Sequence, residues 1–69
     1  MSEEKPQPTF SLYTKVKIEH GFYKSFKGKI IEFRITKKNE IEYEVHLTLK
    51  DNKTKKDWFN ESMLSKTWF

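Results

Sequence analysis

The most regular alternation of hydrophobic and polar residues in the chain runs from Ile41 to Leu49. Every second residue is apolar, and the polar residues between them include Glu42, Glu44 and His46. A helix would scatter these apolar side chains around its axis, whereas a strand places them on one face. The pattern therefore predicts a half-buried β-strand.

The segment from Lys29 to Ile35 predicts a second strand, with an irregularity inside it. Under strict alternation Ile31, Phe33 and Ile35 share one face, and Ile30 falls on the other. Small barrels often bend a strand by a bulge. A bulge near Ile30 would therefore bring all of these apolar side chains inside.

Three shorter segments are predicted as the remaining strands: 15–19, 55–59 and 65–69. One helical turn over 60–64, capped by Asn60, precedes the last of them. Turns are expected at Asn39 and at Asp51 and Asn52, which tolerate a left-handed backbone. The predicted fold class is all-β: a small, five-stranded, partly open barrel with one short helical turn before the last strand. The predicted core consists of Val16, Ile18, Ile31, Phe33, Tyr43, Val45, Leu47, Trp58 and Leu64.

The 69-residue chain contains no cysteine, and 16% of its residues are aromatic. This length allows one domain, and the lack of thiols excludes disulfides and thiolate metal sites. Residues 1–11 are polar, contain both prolines and are expected as a flexible tail before a barrel over 12–69. The sequence has no apolar run of the roughly 20 residues that a membrane span needs, and its N-terminus lacks the apolar core of a signal peptide. The protein is therefore expected to be cytoplasmic and not bound to a membrane.

Neither catalysis nor metal binding is expected from the side chains available. The two histidines, His20 and His46, have no catalytic motif around them, and their separation matches no metal-ligand spacing. No cofactor is expected. Glu40, Glu42 and Glu44 form a row on one strand face that could hold a hard cation. Pairing with lysines on neighbouring strands is the favoured interpretation of this row.

The best candidate for a binding site lies between the only two glycines, Gly21 and Gly28. Glycine at both ends indicates positions that need a positive φ or a close approach of the backbone. Aromatic rings and lysines are interleaved there, and such rings can stack on unpaired bases while ammonium groups neutralise phosphates. Alternatively, Phe22 and Phe26 plug the barrel end and the lysines only keep the surface soluble. The predicted nucleic-acid or partner-binding residues are Phe22, Tyr23, Lys24, Lys27, Lys37, Lys38, Lys53, Lys55 and Lys56.

Several short motifs carry a family resemblance. The series Val16-x-Ile18, Gly21-Phe22-Tyr23 and Gly28-Lys29-Ile30 resembles the start of an SH3-like barrel of the KOW type. Tyr43-x-Val45 and Trp58-Phe59-x-Glu61-x-x-Leu64 look like its back half, and are also similar to the electron-transfer accessory barrels of photosystem I. The resemblance covers about residues 12–65. It implies an SH3-like barrel, a fold whose members bind RNA, ribosomes, polymerase, redox proteins or peptides.

These observations together predict a non-catalytic binding module. Glu3, Glu4 and Lys5 lie in the N-terminal segment. Residues 11–69 hold 13 basic and 8 acidic side chains, and their net charge of +5 favours an anionic partner. The leading hypothesis is binding of nucleic acid or a nucleoprotein through the basic-aromatic loop. The alternatives are a protein–protein adaptor or accessory subunit on an acidic or apolar partner, and a small accessory regulator from a phage or mobile element.

The C-terminal pair Trp68 and Phe69 is predicted to dock on the barrel as part of the last strand. If it is exposed instead, it becomes a contact surface for a partner or for a weak dimer of an otherwise monomeric protein.

Overall fold

The computed structural model describes residues 7–67 and contains one antiparallel sheet of five strands. The strands are β1 (Lys15–Ile18), β2 (Lys27–Ile35), β3 (Ile41–Thr48), β4 (Thr54–Asn60) and β5 (Leu64–Lys66), and their order in the sheet is β4-β3-β2-β1-β5. Two short 3-10 turns, Lys50–Asn52 and Glu61–Met63, precede β4 and β5. The all-β prediction is confirmed, including the helical turn before the last strand. No helix in residues 7–67 is long and apolar enough to cross a membrane.

The sheet is open but strongly curled. Within residues 7–67, β4 pairs only with β3, and β5 pairs only with β1. Yet β4 and β5 are joined by the single turn Glu61–Met63. The link from Asn60 to Leu64 can span at most about 14 Å, whereas the edges of a flat five-stranded sheet lie about 19 Å apart. The two edges must therefore curve towards each other at this end, and the apolar face lies on the inside.

The core occupies this inner face. Its buried members are Val16, Ile18, Ile30, Ile41, Tyr43, Val45, Leu47, Phe59 and Leu64. Six of the nine predicted core residues are among them, and Ile31, Phe33 and Trp58 are not. Phe33 is half-buried and packs against the core from its margin.

A β-bulge accounts for the exchange of Ile31 for Ile30. Ile30 lies opposite Val45 and Glu32 lies opposite Glu44, so Ile31 is the extra residue. The bulge near Ile30 is therefore confirmed, but it does not turn all the apolar side chains inward. Ile30 points to the core, and Ile31 lines a concavity beside Lys29 on the outer face.

The register of β4 against β3 explains the exchange of Trp58 for Phe59. Tyr43 lies opposite Phe59, and Glu44 lies opposite Trp58. Side chains directly opposite in a ladder share a face. Phe59 is therefore buried, and Trp58 stands on the outer face, where the Arg34 guanidinium lies 4.1 Å from its ring centroid. The core prediction for Trp58 is wrong.

The connecting turns follow the sequence predictions. Asn39, Asp51 and Asn52 all have a positive φ, between 60° and 62°. The Asn60 side chain accepts a hydrogen bond from the Ser62 backbone N–H at 3.1 Å, which confirms its role as the cap. These residues set the ends of the strands.

The N-terminal segment is held against the sheet from Thr9 onwards. The fully buried Tyr43 donates its hydroxyl hydrogen to the Glu61 carboxylate at 3.0 Å and accepts from the Phe10 backbone N–H at 3.2 Å. The Thr9 backbone N–H donates to the same carboxylate oxygen at 3.0 Å. Partial burial raises the pKa of Glu61, but the hydrogen bonds from Thr9 and Tyr43 outweigh it and lower the pKa below its usual value.

The last strand is shorter than predicted. It ends at Lys66, and the Thr67 backbone N–H still donates to the carbonyl oxygen of Lys15 at 3.1 Å. The predicted docking of Trp68 and Phe69 lies outside the described residues.

Candidate nucleic-acid interface

The loop between the glycines is a pair of tight turns rather than an open excursion. The Lys24 backbone N–H donates to the carbonyl oxygen of Gly21 at 3.1 Å, and that of Phe26 donates to Tyr23 at 2.9 Å. Gly21 has φ +90° and Ser25 has φ +75°. Only glycine adopts the first of these values at no steric cost, as the sequence indicated. The loop is therefore a defined platform.

Gly28 ends the loop by a close approach to β3. A Cβ atom there would lie 2.6 Å from the backbone carbonyl oxygen of His46 and 2.7 Å from Cγ1 of Val45. The sequence predicted a positive φ or a close backbone approach at the glycines. Gly21 has the positive φ and Gly28 makes the close approach, so the prediction is confirmed at both ends of the loop. The loop is consequently fixed against the neighbouring strand.

The three aromatic rings of the loop have different environments. Phe22 is 90% exposed, and its ring meets the edge of Tyr23 with centroids 5.0 Å apart. Tyr23 and Phe26 are half-buried and pack against the core, Tyr23 through the ring of Phe59. The alternative in which Phe22 and Phe26 plug the barrel end therefore fits Phe26 but not Phe22, whose ring is exposed. Tyr23, a predicted binding residue, packs against the core as well.

An apolar concavity of about 370 Å³ lies between the loop and the turn that joins β3 to β4. Phe26 and Leu49 supply its apolar surface, and both also pack against the core. Lys27 and Lys50 also line it; Lys27 comes from β2 and lies across from Thr48 of β3, and Lys50 comes from the turn after β3. We call this site the end concavity. Its remaining lining residues are Ser25 and Thr48.

The predicted lysines do not form one cluster. Lys24, Lys27 and Lys53 are exposed at the same end of the sheet as the end concavity. Lys37 and Lys38 lie in the turn after β2, at the opposite end of a nine-residue strand, which is about 26 Å long. The structure therefore separates them from the loop.

The two lysines of β4 point to different faces. The Nζ atom of Lys55 lies 5.3 Å from the centroid of the Tyr23 ring on the inner side. A hydrogen bond and charge interaction with the Tyr23 hydroxyl raise the pKa of Lys55. Lys56 lies opposite His46 and therefore stands on the outer face.

The outer face carries a basic surface that the sequence prediction missed. Strand pairing aligns Lys15 with Lys29, Lys29 with His46, and His46 with Lys56. A second row, beside the end concavity, aligns Lys17 with Lys27 and continues to Thr48 and Thr54. The alternations Lys15/Lys17 and Lys27/Lys29, on segments joined by one hairpin, are the signal from which these rows could have been found. We call the two rows the basic face.

The acidic residues lie on the same outer face but towards its other end. Arg34 contacts the Glu42 carboxylate at 2.7 Å, so an arginine, and not a lysine, is the cross-strand partner of Glu42. Glu40 accepts from the Asn60 side-chain amide at 3.3 Å, and Glu44 lies opposite Glu32. Residues 7–67 contain no group of His, Asp or Glu side chains arranged to hold a metal ion.

No protein-family model, curated protein or solved structure matches the chain. The arrangement of the end concavity, the exposed Phe22 ring and the adjoining lysines therefore carries the functional argument.

Proposed function

We propose that the protein is a non-catalytic module that binds single-stranded nucleic acid at the end of the sheet formed by loop 21–28 and the β3–β4 turn. The observation that carries the proposal is the end concavity, which combines an apolar surface with a rim of lysines. The interface consists of Phe22, Tyr23, Lys24, Phe26, Lys27, Leu49, Lys50, Lys53 and Lys55. It leaves out Lys37 and Lys38.

The shape of the site favours an unpaired base over a duplex. A concavity of about 370 Å³ lined by Phe26 and Leu49 can receive a flat ring. The bases of a duplex are stacked inside the duplex and are not available to enter it. Lys27 and Lys50 at the rim would then neutralise the phosphates on either side of the inserted base. This combination of apolar contact and charge does not require a particular base sequence.

The exposed ring of Phe22 supplies a second contact. Its side chain is 90% exposed, so the ring contributes little to folding and its face is accessible to a base. Stacking of one base on such a ring stabilises a complex by about 1–3 kcal/mol. Lys24 follows it closely in the loop and is exposed beside it.

We also retain the resemblance to SH3-like barrels of the KOW type as a proposal. It is supported by five short antiparallel strands and by the 3-10 turn Glu61–Met63 before the last strand. The cytoplasmic location stays part of the same proposal.

A protein–protein adaptor is the second candidate function. It is favoured by the same Phe22 ring, because an exposed aromatic side chain beside lysines can also anchor an acidic protein surface. Salt distinguishes the two candidates. Binding to a single strand weakens with a log–log slope of about 0.7 per phosphate neutralised, whereas a mainly apolar protein contact changes much less.

A titration of isotopically labelled protein with single-stranded RNA and DNA tests the proposal. At about 50 mM salt, the lower end of the range over which phosphate contacts weaken steeply, we expect shifts in the amides of 21–28 and 48–56. The amides of Lys37 and Lys38 serve as the internal control and should stay in place. If no amide in the two segments moves with any oligonucleotide, the adaptor function takes the place of the proposal.

A further inference from the structure

The basic face is arranged against the electrostatic preference of a sheet. Like charges directly opposite each other in neighbouring strands destabilise a sheet, and alternating signs stabilise it. Here Lys15 lies opposite Lys29, and Lys17 lies opposite Lys27. The glutamates of β2 and β3 that could have separated these charges all lie in the other half of the two strands. Departures of this kind from local consistency are expected at functional sites.

The centre of the basic face has no internal counter-charge. Among residues 7–67, Lys29, His46 and Lys56 make no side-chain hydrogen bond or ion pair. At the margin, Lys17 contacts Glu19 at 3.5 Å. The central three side chains are therefore available to an external anion.

The basic face is continuous with the end concavity. Lys27 and Thr48 line that concavity and also stand in the row of the basic face nearest to it. A smaller concavity of about 200 Å³ shares Thr48 and extends over Gly28, Lys29, Ile31 and His46. A chain that leaves the end concavity at Lys27 therefore enters the row of Lys29 and His46 without crossing an acidic residue.

We infer that the basic face holds the sugar–phosphate backbone of the strand whose base enters the end concavity. The ligand is then a continuous single-stranded polynucleotide, and neither a mononucleotide nor an isolated base suffices. This inference rests on the proposed function and adds to it the path of the strand and the length of the ligand.

The dimensions of the face set that length. From β1 to β4 the row that contains His46 crosses three strand spacings, about 14 Å, and the two rows are about 7 Å apart. At the stacked spacing of about 3.4 Å per phosphate, about four nucleotides cross the face. With one further nucleotide for the base in the end concavity, affinity should rise steeply from a mononucleotide to an oligomer of about five nucleotides and level off beyond it.

The test compares two double variants of the full chain that remove the same charge. Lys29→Gln with Lys56→Gln changes the basic face, and Lys37→Gln with Lys38→Gln changes the distant turn. Binding of a ten-nucleotide oligo-U and of uridine monophosphate is measured by fluorescence anisotropy and competition from about 50 to 200 mM salt. Two lost phosphate contacts reduce the salt slope by about 1.4 and the affinity at low salt at least about tenfold. The control pair should keep the wild-type slope.

The melting temperature separates lost binding from lost folding. Because the substitutions remove repulsion across strands, the Lys29→Gln/Lys56→Gln variant should melt at or above the wild-type temperature. Weaker binding by a folded variant supports the inference. If that variant keeps the wild-type affinity and slope while Phe22→Ala weakens binding, the inference is overturned and the proposed function stands.

Two further binding measurements test whether other polyanions are the ligand. If wild-type protein binds no single-stranded oligonucleotide, the proposed function fails and the inference fails with it. If a DNA duplex, or vesicles of phosphatidylserine and phosphatidylcholine, bind as tightly as oligo-U and lose affinity equally in the variant, the basic face is a general anion surface and the inference is overturned.

Discussion

Replacing Gly28 by alanine is the sharpest test of how loop 21–28 is joined to the sheet. The added Cβ atom would lie 2.6 Å from the His46 carbonyl oxygen, whereas ordinary contacts begin at 3.4 Å. That oxygen belongs to the backbone of β3, so it can move away only by distorting the ladder between β2 and β3.

Two opposing effects decide the sign of the change in stability. Alanine reduces the entropy of the unfolded chain, which stabilises a protein by about 0.4–1 kcal/mol where the native backbone accepts it. Overpacking a close contact costs typically about 1–3 kcal/mol and occasionally more. Because the nearest atom is backbone, the upper part of that range applies, and the net loss should be about 1–2 kcal/mol.

Thermal unfolding followed by circular dichroism measures this loss. For a domain of this size about 1 kcal/mol corresponds to about 4–8 °C, so Tm should fall by at least about 5 °C. Adding Val45→Ala removes the second contact at 2.7 Å but not the first, so it should not restore Tm. An unchanged or higher Tm for Gly28→Ala would show that β2 and β3 do not approach as closely as described.

Three further predictions follow from burial and hydrogen bonding. Phe59→Ala should lower the free energy of unfolding by about 3–5 kcal/mol, and Trp58→Ala should lower it clearly less because the Trp58 ring stands outside the core. Equal losses of unfolding free energy in chemical denaturation would contradict the register of β4. Tyr43→Phe should lower the free energy of unfolding by about 1.5–3 kcal/mol at neutral pH, because it removes the hydrogen bond to the Glu61 carboxylate. The pKa of Glu61 is lowered in the folded state, so the ionised carboxylate stabilises the fold fully above the unfolded pKa, and this stabilisation is lost as the pH falls through the folded pKa. The destabilisation by Tyr43→Phe should therefore shrink in acid. A difference in stability that does not change with pH would contradict this account. Phe22→Ala should leave Tm within about 2 °C of the wild type, whereas it weakens binding of single-stranded oligonucleotides; a large fall in Tm would mean that the ring is part of the core.

Local patterns in the sequence identify the strands but not always their faces. The alternation from Ile41 to Leu49 predicts β3 and its buried side correctly, because period 2 is a property of the strand itself. The bulge near Ile30 is also predictable. Which of Ile30 and Ile31 turns inward depends on where the register shifts against β3, and this is fixed by contacts distant in sequence.

The same limit applies to Trp58 and Phe59. Both are large and apolar, so composition does not distinguish them, and only the pairing of β4 with β3 decides which is buried. The site shows a parallel division. The loop between Gly21 and Gly28 is evident from its glycines and rings, whereas the basic face arises from the pairing of four strands and has no contiguous motif.

The curl of the sheet leaves β4 with a seven-residue edge that pairs with no other strand in residues 7–67. Such an edge is a template for intermolecular strand pairing and aggregation, and charged side chains, lysine above all, are a common protection against it. Lys55 and Lys56 lie in this edge strand, and Lys53 directly precedes it. These side chains therefore protect the edge, so variants that neutralise them should shorten the time for which concentrated protein stays free of aggregates.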